Sequence, residues 1–371
     1  MDTYLHPPHM EMRNMDVKSL SEGLITAYGK VAFETLDTYF NIHEKRVLSR
    51  LNSKDRAVTQ SITALRGSID RYNDANDLFI AESVIEMDKL YSGLEERQKK
   101  HPSLGMQDCL VLELLHYFKN DFFTWVTKPK CTNCGKCEDN IVMKGAVPPP
   151  NPNPDEITRV EVYTCNDCGI NVAFPRINNP VRLLYTRKGR CGEWVNCFML
   201  VLKAVLGEDS KTRYVWNNED HVWCEYYSHH LKRWIHLDPC EAAFDQPNLY
   251  TDNWGKKMSW VIGINDSYVM DLSSKYINNP EKKIDQSTVV THVSSVNDFI
   301  KLSAFQQMKN YVGQLKSPED YRKFYYDCLV LFRQERNPHR TESLPSIASL
   351  NIRGRQTGGA EWTKARGEDG V

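Results

Sequence analysis

The apolar positions of this chain fall into several kinds of spacing, each predicting a different region. Behind Ser19 as a helix cap, Leu20, Leu24, Ile25, Tyr28, Val31, Ala32 and Phe33 recur at intervals of three and four. Leu110, Val111, Leu114, Leu115, Tyr117 and Phe118 repeat that pattern and run into Phe122-Phe123-Thr124-Trp125. Residues 1–125 therefore read as helices whose apolar faces pack on a core. Residues 126–180 change character, with paired cysteines, the run Pro148-Pro-Pro-Asn-Pro-Asn-Pro154 and short alternating stretches. Residues 181–335 form the next unit. They turn helix first and then strand, and helical spacing returns after position 300 through Phe305, Met308, Tyr311, Val312 and Leu315. Residues 336–371 hold Arg, Gly, Ser and Glu with few apolar anchors and are expected to be disordered. No internal repeat is visible.

Composition narrows the class. The 371 residues are enough for one large domain or two modest ones, and 41% hydrophobic with 26% charged is globular. With 47 basic and 48 acidic residues the formal net charge is −1, which gives no ground for capture by nucleic acid or an anionic membrane. The start Met1-Asp-Thr-Tyr-Leu-His-Pro-Pro8 lacks the features of a signal peptide, and no stretch approaches the roughly 20 apolar residues of a membrane span. A cytoplasmic or nuclear protein is the expectation. The acceptor-like Asn265-Asp266-Ser267 should then stay unmodified. In a reducing compartment the 11 cysteines are metal ligands, nucleophiles or core rather than disulfides.

Four of them predict a metal. Cys131-Thr-Asn-Cys134-Gly and Cys165-Asn-Asp-Cys168-Gly are matching knuckles. Two intervening residues let one tight turn aim both sulfurs at a single ion, and the following glycine permits a positive φ. Two knuckles supply the four thiolates of a structural Zn2+ site, with the proline-rich run as a loop between them. Cys137 is read as a bystander, and Cys109, Cys197 and Cys328 as core.

Catalysis is read from three segments. Arg187-Lys-Gly-Arg-Cys191-Gly-Glu-Trp194 leads into an apolar helix that stops at Gly207, so Cys191 lies in its first turn. The helix dipole and nearby arginines favour a thiolate there. Downstream, His221-Val-Trp-Cys-Glu-Tyr-Tyr227 and Arg233-Trp-Ile-His-Leu-Asp238 alternate as strands do. A hairpin turning between His229 and His230 sets His221 opposite Asp238, Trp223 opposite His236 and Glu225 opposite Trp234. Opposed Cβ atoms are about 4.5–5.5 Å apart, within reach of a direct His–Asp hydrogen bond. Cys191, His221 and Asp238 then form a nucleophile–base–orienter triad. His236 is read as a packed histidine, and Val222, Cys224, Tyr226, Ile235 and Leu237 as core.

These segments, with the upstream knuckles, Phe244-Asp-Gln-Pro247, Asn253-Trp254 and Lys256-Lys-Met-Ser259, resemble the cytoplasmic peptide:N-glycanase family of the transglutaminase-like superfamily. Gly354-Arg355, Gly358-Gly-Ala-Glu-Trp362 and Arg366-Gly-Glu-Asp-Gly370 resemble its short fungal forms. The resemblance is dense over 110–270 and thin elsewhere. It implies an α+β fold: a transglutaminase-like (papain-like) core, a helical N-terminal region and an inserted CxxC/CxxC module. It also implies amide hydrolysis at N-linked glycans of unfolded glycoproteins exported from the endoplasmic reticulum. Glu241, Trp254, Trp223 and Trp234 are candidate glycan contacts, and Arg213 with Glu225 a buried pair supporting the site. The N-terminal amphipathic helix is a candidate dock for a ubiquitin-like shuttle protein of the proteasome pathway. Two other readings share the fold: a crosslinking or proteolytic thiol enzyme, which does not predict the knuckles, and a silent DNA-repair-type scaffold, which does not predict an intact triad.

Overall fold

The structure, a computed structural model, describes residues 16–207, 210–327 and 354–370; the expected core residue Cys328 and positions 336–353 of the expected tail lie outside the described residues. In chain order the elements are α1 (Val17–Leu48), α2 (Ser53–Arg66), α3 (Ala75–Val84), α4 (Met87–Lys100), α5 (Met106–Tyr117) and β1 (Thr124–Trp125). Then come β2 (Ile141–Val147), β3 (Ile157–Cys165), β4 (Asn171–Ile177), α6 (Pro180–Thr186), β5 (Lys188–Gly189) and α7 (Cys191–Leu206). The strands β6 (Thr212–Asn217), β7 (His221–Ser228), β8 (Arg233–Asp238), β9 (Ala243–Phe244), β10 (Val261–Ile264) and β11 (Val269–Asp271) follow. The chain continues through α8 (Ser273–Tyr276), α9 (Gln286–Val289), α10 (Val293–Gln314) and α11 (Pro318–Phe324), and the described C-terminal stretch carries α12 (Ala360–Ala365). Among the described residues no helix is long and apolar enough to cross a membrane.

An antiparallel sheet ordered β11-β10-β6-β7-β8-β9 divides two cores. Val222, Cys224, Tyr226, Ile235 and Leu237 share one core with α7 and the helices before it. Val215, Trp223, Tyr227 and Trp234 share the other with Tyr250, Trp254, Tyr276 and the Met308–Val312 stretch of α10. Every residue of β7 is buried, so neither face of the central strand meets water. That constraint forces each polar side chain on it to find a partner within the protein.

The hairpin register differs from the expected one by two residues. Cys224 pairs with Leu237, Glu225 with His236, Tyr227 with Trp234 and Ser228 with Arg233. A two-residue turn at His229-His230 needs positive φ at its centre, which favours Gly or Asn. The chain instead bends through His229, His230, Leu231 and Lys232, with positive φ at Lys232 alone and the Leu231 N–H donating to Ser228 Oγ. Because side chains alternate with period two, a two-residue slip keeps every one on its expected face. His221 and Asp238 thus meet diagonally rather than directly across.

The metal module is the antiparallel sheet β2-β3-β4 over a small core of Cys131, Ile141, Tyr163, Cys165, Val172 and Phe174. The N-terminal helices form as expected, but the apolar residues of α1 do not all face inward. Val17, Leu20, Leu24 and Val31, on one stripe, are exposed, while Gly29, Phe40 and Val47 are buried where α1 packs along α10. The stripe reads as core in a sequence pattern because periodicity registers a face without saying what covers it.

The C-terminal stretch is the other departure. Residues 354–370 are not a disordered tail; they form a strap against the core. Its main chain is tied by Gly354 N to Asn253 O (2.8 Å), Arg355 N to Glu368 O (2.8 Å) and Gly370 N to Trp254 O (3.1 Å). Arg355, Thr357, Thr363 and Glu368 are buried. The segment folds with few apolar anchors because paired charges and one tryptophan, Trp362, take the place of an apolar face.

Candidate active site

Cys191 opens α7, and two buried carboxylates with two half-buried guanidiniums hold that first turn in place. Glu193 accepts the Arg190 backbone N–H at 3.0 Å and both Arg176 Nε (2.6 Å) and Nη2 (2.9 Å). Arg176 also reaches Glu161 through Nη1 (3.1 Å), and Arg190 binds Glu161 through Nη1 (3.2 Å) and Nη2 (2.9 Å). Tyr163 donates to the same carboxylate at 2.7 Å. Burial would push Glu161 upward, but Tyr163 and the two guanidiniums outweigh it and hold its pKa near 2. Since Glu161 and Tyr163 are on β3 and Arg176 on β4, the four-cysteine module is fastened directly to the helix that Cys191 opens. Gly189 allows this approach, because a Cβ there would lie 2.3 Å from Glu193 Cβ.

His221 begins β7 and is buried; its Nε2 lies 3.0 Å from Asp238 Oδ2. Its Nδ1 is buried with no conventional hydrogen-bond partner, leaving that nitrogen to the partly exposed Cys191 thiol with which the ring interacts. Burial disfavours charge on both groups, yet the thiol is lowered by the imidazole and by Arg355, and the imidazole is raised by Asp238 and by the sulfur. The pair is polarised toward thiolate and imidazolium.

Asp238 collects three donors. Besides His221 it accepts Cys240 N–H (2.9 Å) on Oδ1 and Tyr250 O–H (3.0 Å) on Oδ2. Burial pushes its pKa up, but the hydrogen bond and charge of His221, with His236 and Arg355 behind them, hold it near 2. Tyr250 in turn lies 2.8 Å from His236 Nε2, and His236 Nδ1 accepts Gln246 N–H at 3.2 Å. The pattern closes for one tautomer: neutral His236 donates to the phenol, which donates to Asp238. Burial lowers His236 to about 4, consistent with that neutral form.

The remaining residues expected at the site divide. Arg213 and Glu225 form a fully buried ion pair; Glu225 also takes Lys275 Nζ (2.5 Å) and Tyr276 O–H, and Arg213 stacks 4.2 Å above Trp234. Trp223 stacks on Tyr250 at 4.2 Å and is fully buried, so Trp223 and Trp234 are packing residues, not an open platform for a ligand. Trp254 does reach the triad, 5.0 Å from the His221 ring, but the strap covers it with Arg355. Glu241 is likewise covered. It accepts Gln356 N–H (3.1 Å), Thr357 N–H (3.1 Å) and Thr357 Oγ1–H (2.6 Å), and is not free to contact a glycan in this arrangement. A groove of about 720 Å³ runs between the metal module and the strap, lined by Thr127, Met143, Tyr163, Arg190, Glu361 and Trp362. It adjoins Arg190, the neighbour of Cys191.

Several residues of the site left no trace in a local reading. Tyr250, Glu161 and Arg176 sit in unremarkable runs, and only the fold brings them in. Arg355, Arg366 and Glu368 had a signal, the glycine-punctuated tail motif, whose charges could have been counted as paired. Arg366 binds Asp220 beside His221 (2.6 Å), and Glu368 takes Lys256 (2.6 Å), Arg355 (2.8 Å) and Arg366 (3.2 Å).

The four knuckle sulfurs, Cys131, Cys134, Cys165 and Cys168, lie within 4.8 Å of one another. A tetrahedron of about 2.3 Å metal–sulfur bonds has edges of about 3.8 Å; Cys134 and Cys165 Sγ are 3.6 Å apart. Gly135 and Gly169 adopt φ of 70° and 69°, and each donates to the first cysteine of its knuckle. The group is close enough to bind a metal ion. Cys137 is not part of it.

Comparison with known proteins places the class first. Residues 143–239 match the transglutaminase-like superfamily, and residues 206–323 match the Rad4 transglutaminase-like domain. The chain is 43% identical to the peptide-N(4)-(N-acetyl-beta-glucosaminyl)asparagine amidase of Debaryomyces hansenii, covering 95% of this chain and 96% of that one. The amidase of the same name from Candida albicans is 43% identical over 96% and 97% of the two chains, and that of Saccharomyces cerevisiae 39% over 78% and 80%. The chain belongs to the peptide-N(4)-(N-acetyl-beta-glucosaminyl)asparagine amidase family.

The neutral His236 generates a pH prediction. A histidine in the unfolded chain takes its proton near pH 6.5, while His236 in the fold takes it only near 4. Between those values the unfolded state binds the extra proton, so stability falls as pH falls. His236→Gln should flatten that loss between about pH 6.5 and 4, read from urea midpoints at several pH values. An unchanged acid slope would show that His236 is not held neutral.

Proposed function

We propose that this chain hydrolyses the amide bond between an N-linked glycan and its asparagine, leaving aspartate on the polypeptide. The observation that carries the reading is the polarised Cys191–His221 pair backed by a buried, ionised Asp238. The Cys191 thiolate adds to the side-chain carbonyl carbon of the glycosylated asparagine. His221 then protonates the departing glycosylamine as the C–N bond breaks, which leaves a thioester. Water, deprotonated by the same imidazole, attacks the thioester, the sulfur leaves as thiolate, and the carboxylate of aspartate remains. Asp238 fixes the ring and balances its charge throughout. The groove beside Arg190 offers an approach for the polypeptide or the sugar. The name shared by the relatives supports the substrate class. Unfolded glycoproteins exported from the endoplasmic reticulum, met in the cytoplasm or nucleus, are the substrates this reading assigns.

A silent scaffold has less support, because a thiol lowered against its own burial is an arrangement for reaction. Cys191→Ala should abolish release of intact glycan from a denatured glycopeptide, a loss on the order of 10⁴-fold or more. Mass spectrometry of the native reaction should show the asparagine converted to aspartate. No glycan release by folded, metal-loaded wild-type protein would sink the assignment.

The four-cysteine group is assigned to one structural Zn2+, since four thiolates with no open position suit zinc and exclude a substrate. The site's link to Cys191 runs through Glu161 and Arg176. Native mass spectrometry should find one zinc per chain. Its removal by a chelator should loosen the module and lower activity together, whereas full activity in zinc-free protein would refute a supporting role.

The exposed stripe Val17, Leu20, Leu24 and Val31 is assigned to partner docking, and the family resemblance points to a ubiquitin-like proteasome shuttle. An apolar stripe left open on a helix whose Phe40 and Val47 are anchored in the core is the feature that favours this. Leu24→Glu with Val31→Glu should weaken binding of such a shuttle at least about 10-fold, close to 1.4 kcal/mol, with the melting temperature unchanged. Equal affinity in the variant would dismiss the stripe as the dock.

A further inference from the structure

The strap delivers one cation to the reacting pair. The Arg355 guanidinium is caged by three indole rings, 4.8 Å from Trp125, 5.0 Å from Trp254 and 4.7 Å from Trp362. Trp254 also touches the His221 ring. Trp125 lies on the short strand whose partner, Gly189, stands two positions before Cys191. Through Trp254 and Trp125 the cage therefore adjoins the His221 ring and the strand that leads into Cys191. Arg355 is buried, and its nitrogens are not all used. Nη1 donates to Glu368 at 2.8 Å and Nε to Thr357 Oγ1 at 3.2 Å, but Nη2 is buried with no acceptor.

An unmet N–H on a buried guanidinium is costly, because the group has given up water without gaining an acceptor. The surroundings hold it there all the same. Glu368 is itself fixed by Lys256 and Arg366, and the two residues after Arg355 are fixed by Glu241. A donor kept idle, buried and rigid beside a nucleophile is the arrangement expected of a group whose acceptor arrives with the substrate.

We propose that Arg355 belongs to the catalytic machinery, with Nη2–H donating to the substrate carbonyl oxygen as Cys191 adds to its carbon. In that step the S–C bond forms, the carbonyl π pair moves onto oxygen, and the negative charge passes from sulfur to oxygen. The guanidinium meets the charge as it arrives on oxygen, and no proton or other atom is transferred by it. Its presence also accords with the lowered Cys191 thiol. The assignment rests on the amide-hydrolase reading above. It makes the strap a part of the site, where a plug over the site would predict that loosening Arg355 raises activity.

The test uses the full chain, loaded with zinc, as wild type, Arg355→Gln and Arg355→Lys, each checked by thermal melting. Two readouts are taken: the pH profile of iodoacetamide alkylation at Cys191, mapped by mass, and kcat and KM on a denatured glycopeptide. Arg355→Gln should move the alkylation profile to higher pH and lower kcat by about 10²-fold or more, with KM altered less than about threefold. Arg355→Lys should restore most of the alkylation profile but recover kcat only in part, because an ammonium keeps the charge and loses the fork. Wild-type kcat and profile in Arg355→Gln, or any gain of activity, would overturn the proposal. If Arg355→Gln does not fold, wild-type kcat in Arg355→Lys overturns it equally. A wild-type chain that releases no glycan, yet shows the alkylation shift in Arg355→Gln, would remove the glycan reading and leave the link between Arg355 and the thiol standing.

Discussion

The position of Cys191 depends on two buried glutamates and two half-buried arginines. Arg176 and Arg190 share Glu161, and Arg176 shares Glu193 with the backbone at the start of the catalytic helix. Glu161 and Glu193 are out of water and need both guanidiniums, so removing either arginine leaves a buried charge uncompensated. The clamp therefore behaves as one unit. It ties the strands of the metal module to the first turn of the helix, so an ion bound by the knuckles would act on catalysis through position alone. The groove along the module is a consequence of the same attachment, since Tyr163 and Arg190 line it.

Behind the nucleophile, the governing condition is that both faces of the central strand are covered. His221 and Glu225 sit on that strand, and each takes its charged partners from other elements. For Glu225 the partners are cations and a phenol, which hold its pKa near 2 despite burial. For His221 the partner is a carboxylate with two further donors. Charge on Asp238 is what allows a buried imidazole to carry a proton, and Tyr250 with His236 fixes that carboxylate from behind. The contrast between the two histidines follows from this. His221 faces a carboxylate and is raised; His236 faces a phenol and an amide N–H and is lowered.

The strap completes the enclosure on the side away from the helix. It shields Trp254 and Glu241 and sets Arg355 among three indoles, while Arg366 reaches Asp220 next to the base. The groove between strap and module reaches Arg190, the residue before Cys191.

The sequence by itself singled out Cys191, His221, Asp238 and the four knuckle cysteines, and the fold brings each group together. Knuckle spacing, a cysteine opening an apolar helix, and alternation in two short runs are local signals, and each depends on backbone geometry within a few residues. Even the wrong hairpin register left His221 and Asp238 on one face, because an even slip preserves alternation. What local pattern could not supply is anything fixed by distant partners. The clamp joins residues from three elements, Tyr250 reaches Asp238 from a separate turn, and the strap returns from the far end of the chain. Trp223 and Trp234 looked available because a strand's own pattern does not reveal that its second face is covered. The apolar stripe of α1 looked buried for the converse reason. Tertiary structure decided these matters because burial and ion pairing are properties of what a side chain meets, and only the fold sets that.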